Sequence, residues 1–391
     1  MSTKEFERRT KGDRPVVAIC YDFDKTLSPT DMQAQGFIQE VGYDVSRFWQ
    51  ETNELAEGNE MDQNAAYMFK MGREAQGKVL FTRKTLQEYG AKVELCPGVG
   101  TWFGRIRDYG ERRGVVVEHY IISSGLKEMI EGTAVADQFE KIYASSFLYD
   151  ERGVAVWPAQ IVNYTNKTQF LFRIVKGVLD VNDSAVNNYF APEDLRVPFR
   201  NMIYIGDSDT DIPCMKLVNS NGGHSIGVYD VQTRDRNKVY QMIHDERIKY
   251  FAPADYTEDS ELDRLVKSII DRTATNEVLE EFSARCRAEA QADLSSKDED
   301  QRKKVDLLLE LENSGSFAAT HAAIEKLRTV TGWNADELEH LFRIAVSNSQ
   351  VKYILKDHDV AGFYKDLLRQ AGTPGDCAKL VKRILTDGDS G

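Results

Sequence analysis

The sequence predicts an α/β fold: a doubly wound parallel sheet, interrupted once by an inserted helical module and followed by an all-helical C-terminal region. Short apolar runs without polar alternation recur through the first two thirds of the chain, as in strands buried on both faces of a parallel sheet. Helix-like segments separate these runs. Beyond about Asp271 the strands stop and apolar residues continue only at helical spacing.

The candidate strands are Pro15–Tyr21, Val115–Ile122, Asn201–Ile205, Ser225–Val228 and Tyr250–Pro253. Between the first two lies a stretch from Thr30 to Cys96 that is too long for a connection. Its apolar residues, among them Phe37, Val41, Phe48, Leu55, Tyr67, Met68 and Met71, follow a loose helical spacing. It is therefore read as a helical insertion at about 31–95, returning to the sheet at Cys96-Pro97-Gly98. Phe147–Val162 alternates around Asp150-Glu151-Arg152-Gly153 and predicts a β-hairpin beside the sheet. The expected organisation is an N-terminal segment 1–14, a core 15–270 carrying the insertion, and a helical region 271–391. In that last region Asn276–Ala292, Ser296–Glu312, Ser316–Val330, Ala335–Ser347 and Val360–Ala371 are candidate helices; the charged Ser295–Lys304 reads as a linker or a solvated helix face, and the continuing Val305, Leu307, Leu308 and Leu311 favour the helix.

The chain has 391 residues, more than twice an ordinary domain of roughly 150, which suits two or three packing units. A net charge of −13 and the lack of a basic stripe argue against a nucleic-acid binder. Met1–Arg14 is polar, and no uncharged run approaches the roughly 20 residues that span a bilayer. A cytoplasmic protein with no membrane association is expected. The five cysteines (Cys20, Cys96, Cys214, Cys286, Cys377) are scattered, with no paired spacing, and are read as reduced thiols in the core.

The strands end in chemistry. After the first stands Asp22-Phe23-Asp24-Lys25-Thr26, two carboxylates two apart followed by a short hydroxyl, which can divide attack and proton transfer between them. Such loops also merely cap helices. After the second, Ser123-Ser124-Gly125 reads as a hydroxyl and a glycine opening a helix, suited to a phosphate oxygen. After the third, Gly206-Asp207-Ser208-Asp209-Thr210-Asp211 is an oxygen-rich cluster of the kind that holds Mg²⁺. It is not an EF-hand, because Ile212 occupies the glycine position and Val218 the place of the final glutamate. Lys167, ahead of an apolar helix, would by itself be an ordinary solvated charge.

Taken together and in this order, the four segments resemble the haloacid dehalogenase superfamily of phosphohydrolases. That resemblance covers about residues 15–270 and implies a Rossmann-like core with a C1-type helical cap, as in phosphoserine phosphatase-like members. It implies Asp22 as a nucleophile forming an aspartyl-phosphate, Asp24 as the acid/base, and Thr26 as a support for their loop. Ser123 and Lys167 match phosphate-binding positions, with Gly125 supporting. Asp207 matches a metal ligand and Asp211 the second acidic position near metal and lysine. Mg²⁺ would be held by Asp22, the backbone carbonyl of Asp24, Asp207 and water. An anionic carboxylate attacks an anionic phosphoryl group only where cations neutralise the accumulating charge, and Mg²⁺ with Lys167 would do this.

The aspartate at 24 favours phosphate over carbon–halogen chemistry, since halide leaves without an acid. The substrate-reading cap residues of phosphoserine phosphatase have no match here, so that substrate is not implied. Lys70, Arg73, Arg83 and Lys84 are the cap's candidate anion contacts, and Phe48, Trp49 and Tyr67 its candidate stacking rings; solvated charges and packed aromatics are the plainer reading of both sets. With seven basic and ten acidic residues over 31–92, the cap speaks for a small phosphorylated metabolite and against a polyanion. The six histidines lack metal-ligand spacing. The expectation is a Mg²⁺-dependent phosphomonoesterase. The alternatives are phosphoryl transfer to another acceptor, as in mutases, and a regulatory protein whose 271–391 helices bind a protein partner or self-associate.

Overall fold

The computed structural model describes residues 6–296, 299–372 and 375–386. A seven-stranded sheet is built from β1 (Val16–Tyr21), β2 (Val116–Leu126), β3 (Lys141–Tyr149), β4 (Ala155–Gln160), β5 (Met202–Gly206), β6 (His224–Tyr229) and β7 (Tyr250–Pro253). The order is β4-β3-β2-β1-β5-β6-β7, parallel throughout except for the antiparallel β3–β4 hairpin. β1 is central because its sequence is apolar at every position. Val17, Ile19 and Tyr21 enter the core on one face, while Val16, Ala18 and Cys20 enter the core on the other.

Chain order reverses across β1, with β2 on one side and β5 on the other. Such a switch point leaves a crevice at the carboxyl ends of the strands, and the acidic motifs fall there.

The segment between β1 and β2 is helical: a 3₁₀ turn at Met32–Gln35, then α1 (Phe37–Glu40), α2 (Val45–Gly58), α3 (Gln63–Ala75) and α4 (Arg83–Gly90), before α5 (Val99–Glu111) returns to the sheet. Asp44 and Asp62 cap α2 and α3 through their carboxylates, which accept from amides of the first turn. Entry and exit of the insertion meet where Cys96 N donates to Leu27 O at 2.8 Å. Phe37, Phe48, Met68, Met71 and Phe81 share one hydrophobic cluster with Ile19, Tyr21 and Phe23, so the inserted helices pack continuously with one face of the sheet. After α6 (Lys127–Gly132), α7 (Thr168–Lys176), α8 (Ile212–Ser220) and α9 (Asn237–His244) contribute to the cluster on the other face.

Two features of the sheet differ from expectation. Ser123-Ser124-Gly125 continues β2 to Leu126, and the helix opens only at Lys127. A run of small polar residues looks like a helix start in sequence; here a register shift between Ile122 and Leu126 absorbs it into the strand. The hairpin is present, but its first strand begins at Lys141 and belongs to the main sheet.

The chain divides into two compact units, Met1–Glu280 and Glu281–Gly391. The boundary falls within α10 (Glu261–Ser296), whose Leu262, Val266, Ile269 and Ile270 belong to the sheet core. The second unit contains α11 (Glu299–Glu312), α12 (Phe317–Leu327), α13 (Ala335–Ser347), α14 (Ser349–Tyr353), α15 (His358–Gln370) and α16 (Asp376–Thr386). Its own core includes Leu311, Ile324, Leu341, Phe342, Val351, Tyr364 and Val381. Within Ser295–Lys304, residues 297 and 298 lie outside the described residues. All five cysteines are free; Cys20, Cys96 and Cys214 are buried, but Cys286 is exposed on α10, so the core reading fails there. Among the described residues no helix is long and apolar enough to cross a membrane.

Candidate active site

Three adjacent strand ends bring the sequence motifs together. Asp22 extends the β1 ladder by one residue, its N–H donating to Ile205 O at 3.0 Å, and its own Oδ1 accepts from Phe23 N at 2.8 Å. The chain then turns through Lys25 in the left-handed region (φ 56°), so that Asp24 faces the insertion and its Oδ1 accepts from Met32 N at 2.7 Å. Thr26 is fully buried, and its carbonyl accepts from the Tyr256 hydroxyl at 3.0 Å. Ser123 is buried at the end of β2, where its Oγ accepts from Gly125 N at 3.1 Å.

Gly125 has a steric reason. A Cβ there would lie 2.6 Å from Met32 Cε and 2.9 Å from Asp24 Oδ2, so only glycine lets Asp24 lie against this strand. Gly206 does the same for Asp211, whose Oδ2 would be 2.5 Å from an added Cβ.

Lys167, with no exposed surface, places Nζ 2.7 Å from Asp211 Oδ1 and 3.4 Å from Asp22 Oδ1. The Tyr204 hydroxyl donates to the same Asp211 oxygen at 2.8 Å, while Ser208 donates to Oδ2 through Oγ (2.9 Å) and N–H (3.2 Å). Carboxylate oxygens of Asp22, Asp207 and Asp211 all lie within 4.8 Å of one another. The donor set separates these three by role. Asp211 already accepts at both oxygens, whereas the Asp207 carboxylate has no hydrogen bond or ion pair among the described residues, which leaves it and Asp22 as the oxygens available to a cation. A site of hard anionic oxygens with one ammonium behind it suits Mg²⁺.

A cavity of about 310 Å³ opens over these groups, with Asp22, Asp24, Ser123 and Asp207 on the sheet side and Trp49 and Tyr67 on the cap side. The Tyr67 hydroxyl donates to Ser124 O at 2.8 Å. Asn64 Nδ2 donates to Val162 O (2.7 Å) and Asn163 Nδ2 to Asp62 Oδ2 (2.6 Å), tying α3 to the loop that precedes Lys167.

The haloacid dehalogenase-like hydrolase family model matches residues 19–216, more than half of the chain. The chain belongs to this family. A curated relative, an uncharacterized protein of Borreliella burgdorferi, is 26% identical over 274 residues, spanning 63% of this chain and 94% of the relative. Among solved structures, a HAD family hydrolase from Salmonella enterica serovar Typhi is similar with a TM-score of 0.43 at 17% identity, covering 66% of this chain and 73% of its own. A probable phosphoserine phosphatase from Vibrio cholerae gives 0.44 at 12% identity, covering 68% and 67%.

In this haloacid dehalogenase-like hydrolase, crowding of carboxylates shapes the electrostatics. Burial raises the Asp22 carboxyl above its usual range; Asp211 adds to this, and Lys167 opposes it. Asp207 is pushed up to about 8 by burial and by the charges of Asp211 and Asp22. Asp24 is raised by burial, then by Asp31 and Asp22. Burial works against the charge of Lys167, but Asp211 and Asp22 outweigh it and hold the ammonium more firmly than usual. Removing Asp22 therefore changes the charge felt by both Asp24 and Asp207.

The named cap residues separate into two groups. Lys70 is buried against Glu51 at 2.7 Å, Arg83 pairs with Glu131 at 3.2 Å, and Lys84 lies 3.8 Å from Glu88. None of these, nor Arg73 or Phe48, lines the cavity, whereas Trp49 and Tyr67 do. The sequence reading did not single out Tyr204, Tyr256 or Asn64. The two tyrosines resemble ordinary core aromatics in sequence, and only their hydroxyl partners distinguish them.

Proposed function

We propose that this hydrolase is a Mg²⁺-dependent phosphomonoesterase that acts on a small phosphorylated metabolite through a phosphorylated Asp22. The observation that supports it best is the Lys167 ammonium, fully buried and shared between Asp22 and Asp211 beneath an open cavity. A lysine held there serves an anion that must sit against carboxylates.

In this reading an Asp22 carboxylate oxygen bonds to phosphorus while the ester P–O bond breaks, and the departing oxygen takes a proton from Asp24. Asp24, now ionised, accepts a proton from water whose oxygen attacks phosphorus, which releases inorganic phosphate and restores Asp22. Ser123 and Lys167 bind the phosphoryl oxygens. Asp211, saturated with donors, positions Lys167. Mg²⁺ held by Asp22, Asp207 and the Asp24 carbonyl would supply the remaining neutralisation of phosphoryl charge. Trp49 and Tyr67 close the cap side and limit the substrate to a size fitting about 310 Å³.

The test is phosphate release from an activated aryl phosphate and a panel of metabolite monophosphates with Mg²⁺, repeated in EDTA. Turnover that needs Mg²⁺ and disappears in Asp22→Asn supports the reading. Wild-type turnover in chelator, or none on any phosphate ester, overturns it.

A further inference from the structure

At the opposite, N-terminal edge of the sheet, Gly222 and His224 at the start of β6, Arg200 ahead of β5, and Arg272, Thr273 and Asn276 of α10 line a small pocket of about 60 Å³. All of these residues lie in the first compact unit. His224 is 2% exposed, and its Nδ1 is buried with no hydrogen-bond partner; the Arg200 Nε is likewise buried and unpartnered. Buried polar nitrogens are almost always satisfied, and leaving one unmade is costly. The Arg200 Nε–H is a donor in every state and calls for an acceptor, and His224 in the tautomer that protonates Nδ1 offers a second donor to the same pocket. The His224 ring is held in place by stacking on Tyr250, with centroids 6.0 Å apart and planes 17° from parallel.

The local charge has the same sense. Lys249, whose Nζ donates to Gly223 O at 2.5 Å, and Arg272 both act on His224 as repelling cations. They also repel one another. The carboxylates found nearby are Glu277 and Glu280, 3.7 and 4.0 Å from Arg200 Nη2, and neither lines the pocket. The pocket is thus lined by two arginines and by no carboxylate, in a chain of net charge −13.

We propose that this pocket binds a small free oxyanion, inorganic phosphate or its isostere sulfate, remote from the reaction centre. Arg200, Arg272 and His224 donate to the anion, and Lys249 adds long-range attraction. The volume is of the size of one such anion.

The experiment uses full-length protein in EDTA. Inorganic phosphate and sulfate are titrated against chloride at matched ionic strength, and the His224 imidazole is followed by NMR, its signal assigned by its loss in His224→Gln. Both oxyanions are expected to move the His224 signal saturably. Arg200→Gln/Arg272→Gln is expected to weaken that response roughly ten-fold or more, the scale of a lost charge-assisted hydrogen bond. Because the readout is at His224, binding among the catalytic carboxylates does not contribute. Should the double variant not fold, Arg272→Gln alone, at an exposed side chain, makes the same comparison. A His224 signal that responds to chloride as it does to phosphate, or unchanged phosphate affinity in the arginine variant, would overturn the site.

Discussion

The Nζ of Lys167 lies 2.7 Å from Oδ1 of Asp211, and both side chains are fully shielded from water. A buried ion pair of this kind is costly to break from one side only. Lys167→Met should destabilise the protein by about 3–5 kcal/mol, since it strands the buried charge of Asp211. Lys167→Met/Asp211→Asn should recover part of that loss in urea unfolding while remaining inactive. Strict additivity of the two substitutions would show that the pair is uncoupled.

Asp22 and Asp24 are the same side chain, and the proposed mechanism gives them unequal roles. With a good leaving group, Asp24→Asn should still be attacked by Asp22, giving an initial burst of aryl alcohol, then slow turnover because no base activates water. Asp22→Asn should give no burst. Mass spectrometry of quenched Asp24→Asn should find the phosphoryl group on the peptide containing Asp22, and a different modified residue would reverse the assignment.

Asp207 belongs to a group of three carboxylates within 4.8 Å. In EDTA, Asp207→Asn should melt at a higher temperature than the wild type, because it relieves repulsion, yet it should show no Mg²⁺-stimulated turnover. A variant that melts lower in chelator would mean that Asp207 stabilises the fold through contacts of its own.

Gly125→Ala should lower kcat strongly while leaving the melting temperature within a few degrees of wild type, because the flexible ends of Met32 and Asp24 are what the methyl would displace. Gly100→Ala in α5 is the control. An added Cβ meets nothing within 4 Å there, so activity should be unchanged and stability should rise by up to about 1 kcal/mol.

His119, buried in β2, shares a hydrogen bond of 3.0 Å between its Nδ1 and the Tyr21 hydroxyl, whose oxygen accepts from Trp102 Nε1 at 2.8 Å. Burial, with Arg107 adding, lowers its pKa from 6.5 to about 3. Between those values the unfolded chain binds the extra proton. Stability from this group is thus fully present above pH 6.5 and falls as the pH drops towards 3, by about 2 kcal/mol at pH 5. His119→Gln should flatten the loss of stability between pH 7 and pH 5 in urea titrations; an unchanged slope would place the acid sensitivity elsewhere.

Much of this arrangement can be read from the chain. Polar residues at the ends of wholly apolar strands are conspicuous, and so Asp22, Ser123 and Asp207 are found where a parallel sheet puts them. Lys167 is different: nothing local separates a buried lysine from a solvated one at a helix start, and only its order among the other motifs picks it out. Ser123-Ser124-Gly125 misleads because small polar residues suit a helix cap and a distorted strand end equally well. The short α14 escapes because it presents a single turn. The close approaches at Gly125 and Gly206 depend on three-dimensional proximity that no spacing encodes.

The ties from α3 to the 162–163 backbone and side chain have a mechanical consequence. Swinging α3 away from the sheet would break the Asn64–Val162 and Asp62–Asn163 hydrogen bonds. Asn163 O is also the acceptor for the Lys167 backbone N–H, at 3.0 Å, so the residue that holds the start of α3 also holds the main chain of the lysine. Asn163 is thus a shared anchor: a displacement of α3 that pulled on its side chain would pull on the same residue from which the backbone of the buried lysine hangs.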